Sequence, residues 1–292
     1  MLSVQEVPPI VVWGNCQAGP IAALLSEPLQ AHGWGVQPVA PVFEIDATGL
    51  ADVHELMARA AVLVTQPVRD EYSLPGCGSA QLSAMMKAAD ARVVTIPVTY
   101  DSSAFPYQVN AHRGDGARID APLTDYHDLR TIVAAERGLD VDAALEWRPA
   151  PTHEMVRTNA KASQAELRRR EIELDVKASD LLDRPAMFTL SHPTNEVLAE
   201  IARRVLLTLG IEGQVEVPER EFLGARRAPV ERAVVEALGW PESARQDDWI
   251  IDKRVVPLRE VLGVHLPWYA DRPDIAVDAR KRFRDRLSLL EL

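Results

Sequence analysis

The chain has 292 residues, with 32 Lys and Arg against 43 Asp and Glu and a formal net charge of −11 at pH 7. That balance argues against the basic face a nucleic-acid partner needs and against attraction to an anionic membrane surface, while a few Arg and backbone N–H groups would still suffice for a small anionic ligand. The apolar share of 47% supports a substantial core, as one large α/β domain or two modest ones.

Two cysteines, Cys16 and Cys77, make no disulfide framework, and no Cys/His spacing suggests a metal site. The N-terminal MLSVQEVPPIVV has no basic start and no long apolar run, so no signal peptide is expected. No stretch reaches the length of a membrane span, and a cytoplasmic protein with reduced thiols is expected.

PIVVWG (9–14) reads as a β-branched strand ended by Gly, and GPIAALLSEPLQAHG (19–33) as a helix with Pro20 near its start and Gly33 near its end. WGVQPVAPVF (34–43) follows as an edge-type strand. LADVHELMARA (50–60) is a helix with Leu50, Val53, Met57 and Ala60 on one face. AVLVTQ (61–66) is an unbroken apolar run, as a buried parallel strand requires. SAQLSAMMKAADA (79–91) reads as helix and RVVTIPV (92–98) as strand. The alternation predicts a doubly wound, mostly parallel sheet over residues 1–119.

Residues 120–184 are polar and helical, an expected insertion or lid. TDYHDLRTIVAAERG (124–138) ends at a Gly, and QAELRRREIELDVKASDLL (164–182) carries Leu167, Leu174 and Leu181 seven residues apart, an amphipathic helix. Residues 185–210 return to the core style, with Ser-His-Pro before a strong helix that stops at Gly210. Residues 211–292 form a C-terminal extension expected to pack on that core, closing with the basic helix DARKRFRDRLSLL.

Cys16 sits between a strand and a helix, at the carboxyl edge of the sheet, where open α/β folds bind ligands. Unpaired N–H groups and the positive end of the helix dipole would favour its thiolate. Cys16 is thus either a nucleophile or a small thiol packing at a turn. Asn15 and Gln17 flank it with amides able to donate to an oxyanion, and Gln66, at the end of its own strand, is a further candidate donor. A nucleophilic thiol needs a base. His192, at an element edge before a helix, is the preferred one. His32 and His54 read as surface residues, and His112 and His127 flank the insertion. Arg69 and Tyr72 lie just beyond Gln66 as candidate ligand contacts, and Arg69 could pair with a phosphate. The turn LPGCGSAQL (74–82) offers the N–H groups of Gly76, Gly78 and Ser79 to an anion, with Cys77 a bystander. IPVTYDSS (96–103) presents Tyr100, Asp101 and Ser102 at a third strand edge.

Four stretches together, VVWGNCQAG, VLVTQPVRDEY, IPVTYDSSAFPY and SHPTNEVLAEIARRVLLTLG, resemble the WcbI-type polysaccharide biosynthesis family over residues 9–210. The resemblance implies an SGNH-like α/β core and an acetyltransferase of capsule biosynthesis. It implies a coenzyme A cleft, with acetyl-CoA as co-substrate, a carbohydrate acceptor and no metal. Cys16 then stands where the SGNH hydrolases have Ser, and His192 is the base. Two departures stand out. The hydrolase Asp three residues before the His is Thr189, which leaves Asn195 or a distant residue to orient the imidazole, and Gly-Asp-Ser is Gly14-Asn15-Cys16. The leading expectation is acyl transfer to a sugar hydroxyl, either through an acyl-Cys16 intermediate or directly. A thioesterase or esterase on the same residues, or a non-catalytic module binding coenzyme A or a nucleotide, are the alternatives.

Overall fold

The structure, a computed structural model, describes residues 9–72, 74–112 and 118–292. Residues 1–8, part of the segment read above as no signal peptide, and the His112 side chain lie outside the described residues. The chain forms two compact units. Met1–Thr99, Arg168–Ala186 and Pro193–Leu223 build the first, and Tyr100–Leu167, Met187–His192 and Gly224–Leu292 the second. These boundaries differ from those expected at 119, 184 and 210. The insertion is shared between the units, and most of the C-terminal stretch is integral to the second.

In the first unit β1 (Pro9–Trp13), β2 (Gly35–Gln37), β3 (Val62–Thr65) and β4 (Arg92–Thr95) form a parallel sheet of order β2-β1-β3-β4. Every residue of β1 and β3 is buried, as expected for central strands covered on both faces. Alternation sends Val11 and Trp13 to one face, into a cluster with Leu50, Val53 and Met57 of α2 (Ala47–Met57) and Leu82 of α3 (Ser79–Ala84). Helix α1 (Ala18–Gln30) buries Ile21, Leu24, Leu25 and Leu29 at helical spacing and packs on β1 and on the helix Asn195–Leu209. Asp46 caps α2 by accepting from Gly49 N at 2.8 Å. The expected strand 34–43 contracts to β2, and the expected helix 79–91 to α3.

The heptad leucines of 164–182 do not form one helix. The helix His153–Arg170 stops because the next residues have better partners. The buried Glu171 carboxylate accepts the N–H groups of Ala178 (2.7 Å) and Ser179 (3.2 Å). The Asp175 carboxylate accepts from Thr95 N (2.8 Å) and Thr95 Oγ1 (2.7 Å), and Val176 N donates to Thr95 O. The segment therefore covers the open edge at β4, which would otherwise present unpaired backbone groups. On the same strand Arg92 donates to the carbonyls of Thr208 (2.8 Å) and Leu209 (2.9 Å), satisfying the end of the helix Asn195–Leu209 before Gly210 turns at φ 69°.

The second unit is mainly helical, with short antiparallel pairs. The helix Leu129–Glu136 packs on the helix Leu258–Ala270, and Trp249–Ile251 pairs with Arg254–Val256 and Arg226–Arg227. The basic terminal helix breaks at Phe283 into Pro273–Arg282 and Arg284–Leu289. His127 is buried in this unit, its Nε2 at 2.8 Å from Ile119 O and its Nδ1 at 2.6 Å from Tyr269 Oη. A carbonyl only accepts, so the ring proton sits on Nε2 and Nδ1 accepts from the tyrosine. Burial pushes the imidazole down to about 4 from its ordinary 6.5. A folded pKa below the unfolded one gives stability that is complete above pH 6.5 and declines as pH falls towards 4, since the unfolded chain takes the proton first. From His127 the loss at pH 4 is expected to be about 3 kcal/mol. Urea unfolding at pH 7.5, 5.5 and 4.5 checks this, and a flat stability from pH 7.5 to 4.5 would contradict it.

Candidate functional site

The order β2-β1-β3-β4 means that the connections leaving β1 and β3 diverge, because β2 lies on one side of β1 and β3 on the other. Such a switch point is the usual ligand crevice of an open α/β sheet. Gly14-Asn15-Cys16-Gln17 leaves β1 there, and Gln66 leaves β3. Cys16 is half-buried, a thiol rather than half of a disulfide, two residues before α1 begins.

Two amides fix this turn. Gln66 Oε1 accepts from Asn15 N at 2.8 Å, and Gln66 Nε2 donates to Gln17 Oε1 (3.1 Å) and Pro97 O (3.2 Å). Gln17 Oε1 also accepts from Thr99 N at 3.0 Å, and Gln17 Nε2 donates to Thr99 O at 2.7 Å. Both side chains are buried, and their carbonyl partners dictate which end of each amide carries the protons. The turn after β1 is thereby tied to the chain beyond β3 and β4. Gln66 and Gln17 thus sit where the sequence placed them, but in another capacity. Both protons of Gln66 Nε2 already have acceptors, so this side chain builds the turn and has none left for an oxyanion. Asn15 differs. Its Oδ1 accepts from Gln17 N at 2.9 Å, and the residue is half-buried.

Gly14 is required here for space. A Cβ would stand 2.3 Å from Gln66 Oε1 and 2.8 Å from its Cδ. Gly14→Ala is therefore expected to expel the Gln66 amide and cost about 1–3 kcal/mol, read by urea unfolding. An unchanged midpoint would show that Gln66 does not hold the turn.

The loop after β3 holds the other expected ligand residues. Arg69 and Tyr72 are exposed, and Arg69 enters no ion pair among the described residues. Of the N–H groups expected to cradle an anion, those of Gly78 and Ser79 are already taken, as is that of the neighbouring Cys77. Cys77 N donates to Leu74 O, Gly78 N to Gln81 Oε1 (3.0 Å) and Ser79 N to Val68 O (2.9 Å). Gly76 O accepts from the half-buried His54 at 3.0 Å. Ser79 Oγ is bonded to Gln66 O and Val68 N, so it fastens this loop to α3. Gly78 is small because Asp70 crosses it, with Oδ1 2.0 Å from where a Cβ would be. Cys77 is wholly buried against Trp13, whose indole N–H donates to its carbonyl, which makes it packing.

His192 and Tyr100 belong to the second unit. Burial, with Arg118 and Arg226 adding to it, pushes the His192 imidazole down to about 4, so the ring is neutral at pH 7. It meets the edge of Tyr126 at 5.8 Å between centroids, and its Nδ1 is buried without a hydrogen-bond partner among the described residues. Thr189, at the hydrolase Asp position, donates to Tyr126 Oη at 2.8 Å. Asn195 does not orient the imidazole. Its Nδ2 donates to Pro218 O and Arg220 O, and its Oδ1 accepts from Phe222 N. Asp101 and Ser102 are structural: Asp101 Oδ1 accepts from Ser103 Oγ and Ser163 Oγ, each at 2.6 Å, and Ser102 Oγ accepts from Arg286.

The second unit also holds a partly open pocket of about 240 Å³ that sequence reasoning missed. On its wall Arg130 ties Asp128 (3.0 Å) to Glu231 (2.7 Å), and Arg148 also binds Asp128. These charges lie far apart along the chain, and only the Asp128–Arg130 spacing hints at them. Among the described residues no cluster of His, Cys, Asp and Glu is placed to hold a metal ion, and no helix is long and apolar enough to cross a membrane.

The family model described as polysaccharide biosynthesis enzyme WcbI matches residues 9–214. No curated protein matches the chain. A solved structure of WcbI, described as a novel polysaccharide biosynthesis enzyme, is similar with a TM-score of 0.81 at 18% identity, covering 98% of this chain and 99% of that one. That structure is described as the native protein without a disulfide bond between coenzyme A and one of its cysteines. The match spans most of the chain, including the Gly14–Gln17 turn, Gln66 and the helix after His192, and the chain therefore belongs to the WcbI family of polysaccharide biosynthesis enzymes.

Proposed function

We propose that the protein transfers an acyl group, acetyl in the simplest case, from a coenzyme A thioester to a sugar hydroxyl. The observation that carries this reading is the half-buried Cys16 thiol at the switch point of the sheet, held in a turn that two buried amides make rigid. A thiol just before a helix start is favoured as thiolate by the helix dipole. The description of the similar structure, which names coenzyme A and a cysteine as potential disulfide partners, supports a cofactor thiol that reaches such a residue.

In the proposed route the Cys16 Sγ attacks the thioester carbonyl, the C–S bond to coenzyme A breaks, and the departing thiolate takes up a proton. The acyl-Cys16 thioester then accepts the sugar oxygen, whose proton passes to a base, and Cys16 leaves as thiolate. Asn15 is the amide proposed to face the oxyanion. His192 is the proposed base on the family motif alone, and its neutral state leaves a lone pair for the proton. Arg69 is the cation proposed for the cofactor phosphates.

The test is the intact mass of the protein after a brief incubation with acetyl-CoA, beside Cys16→Ala. A gain of one acetyl group on the native protein alone is the expected result. Coenzyme A that raises the melting temperature of both proteins without labelling either would replace the acyl-enzyme route by direct transfer or by binding alone. Rapid loss of the label in water, with no sugar present, would make the protein a thioesterase.

A further inference from the structure

His192 is held without a carboxylate. The charged groups that act on its imidazole are Arg118 and Arg226, and each has a carboxylate of its own, Asp120 at 2.7 Å and Asp125 at 2.6 Å. An imidazole that exchanges a proton on one nitrogen is ordinarily oriented by an acceptor on the other. Here Nδ1 is buried with no hydrogen-bond partner among the described residues, so proton exchange falls to Nε2 and no bond at Nδ1 directs the ring. Its direction has to come from another contact.

That contact is Tyr126. The two ring planes stand at 87°, the edge-on arrangement that aromatic quadrupoles favour. The tyrosine is buried and fixed from three sides. Thr189 Oγ1 donates to its Oη at 2.8 Å, Ser191 Oγ lies 2.7 Å from the same atom, and the Trp249 ring stacks on it at 6.4 Å between centroids. Thr189 and Ser191 belong to the short segment that ends at His192. The phenol therefore braces both the imidazole and the chain that carries it. The same segment is fastened along its length: Phe188 O accepts from Ala228 N, Leu190 N donates to Gln108 Oε1, and Leu190 O accepts from Asp101 N.

The chain takes an uncommon path to place this tyrosine. Leu123 and Asp125 have φ of 73° and 64°, the left-handed region, which for a bulky Leu is an outlier. Strain of this kind persists where the surroundings over-determine it, and it clusters at functional sites. Thr124 Oγ1, between the two, donates to Tyr126 O at 2.7 Å, while Asp125 holds Arg226. One strained segment thus sets the phenol against the imidazole and fixes a cation that faces it. We propose that Tyr126 is the positioning residue of His192, directing the ring by the edge contact and by the bonds of its Oη to Thr189 and Ser191, the work a carboxylate does in a triad. The consequence for catalysis rests on the reading of His192 as the base. The bracing itself does not, and all its residues belong to the second unit.

The test uses three variants of the full chain. Tyr126→Phe keeps the ring and removes the hydroxyl, Thr189→Val removes only the donor to that hydroxyl, and Thr189→Ser keeps a donor. The first readout needs no substrate: the His192 ring resonances, assigned by their loss in His192→Gln, are followed by NMR through a pH titration. A ring released from its brace meets more water, while Arg118 and Arg226 stay in place. Tyr126→Phe and Thr189→Val are therefore expected to titrate above the native value of about 4, and Thr189→Ser with the native protein. An unchanged titration in Tyr126→Phe or in Thr189→Val would overturn the proposal. The second readout is loss of the acetyl label with water as acceptor, expected to slow about ten- to a hundredfold in Tyr126→Phe while the label forms at the native rate. In a His192→Gln background Tyr126→Phe should add no further slowing, because a positioning residue acts only through the ring it positions. Further slowing there would mark a merely structural role and overturn the proposal. If the native protein takes no label, the acyl-enzyme reading fails and the titration alone decides the bracing. A shifted titration with label loss unchanged keeps the bracing and removes His192 as the base.

Discussion

On the proposed acyl-enzyme route, Cys16→Ala is expected to lower acyl transfer from acetyl-CoA by on the order of 10⁴-fold or more, the loss typical of removing a covalent nucleophile. The site suggests that the loss falls on kcat. Asn15 N, Gln17, Gln66 and Thr99 hold the turn through backbone and amide groups, none of them belonging to the Cys16 side chain. The alanine protein should therefore keep its fold and its melting-temperature response to coenzyme A. A loss of only tenfold, with KM altered, would instead make Cys16 a wall of the cleft and leave direct attack by the sugar hydroxyl as the route. Cys77→Ala is the control. Cys77 is wholly buried in the apolar cluster under β1, so its removal should lower stability and leave the acetyl label in place.

The central strands and the turn were legible for a local reason. PIVVW and VLVT are apolar throughout, and a parallel strand covered on both faces can be little else. The Gly, Asn, Cys and Gln that follow announce a tight strand-to-helix connection. What these residues do there was only half legible. Gln17 and Gln66 were placed at the sheet edge correctly, but a sequence does not show that Asn15 N, Pro97 O and Thr99 O stand within reach of the same amides. The leucines at 167, 174 and 181 promised one long helix. The competing partners of Glu171 and Asp175 are set by the tertiary fold, and they end it. The second unit was the least legible part, because three separated stretches contribute to it and its cavity wall joins side chains from all along the later chain.

The largest stability effect is expected from that wall. Arg130, 4% exposed, donates to both oxygens of Asp128, to Glu231 Oε1 at 2.7 Å and to Pro149 O at 3.1 Å, and its guanidinium lies 3.7 Å from the centroid of the Tyr107 ring. Burial alone would raise the Asp128 carboxyl, but Arg130 and Arg148 hold it far below the usual carboxylate range. Asp128 also caps the helix Leu129–Glu136 by accepting from Arg130 N at 2.8 Å. Arg130→Met keeps much of the volume and removes every one of the side-chain donors. Two carboxylates then share the site with Arg148 alone: Asp128 loses one of its two guanidinium partners, and the partly exposed Glu231 loses its cation. Breaking such a pair costs about 3–5 kcal/mol, a large part of the stability of an ordinary domain. Urea unfolding at pH 7 measures it. If the cost comes from the stranded charge, Glu231→Gln added to Arg130→Met should return part of it, although Glu231→Gln alone removes a good ion pair. A double variant no better than the single one would mean that the aromatic and backbone contacts of Arg130, rather than its charge, hold the wall together.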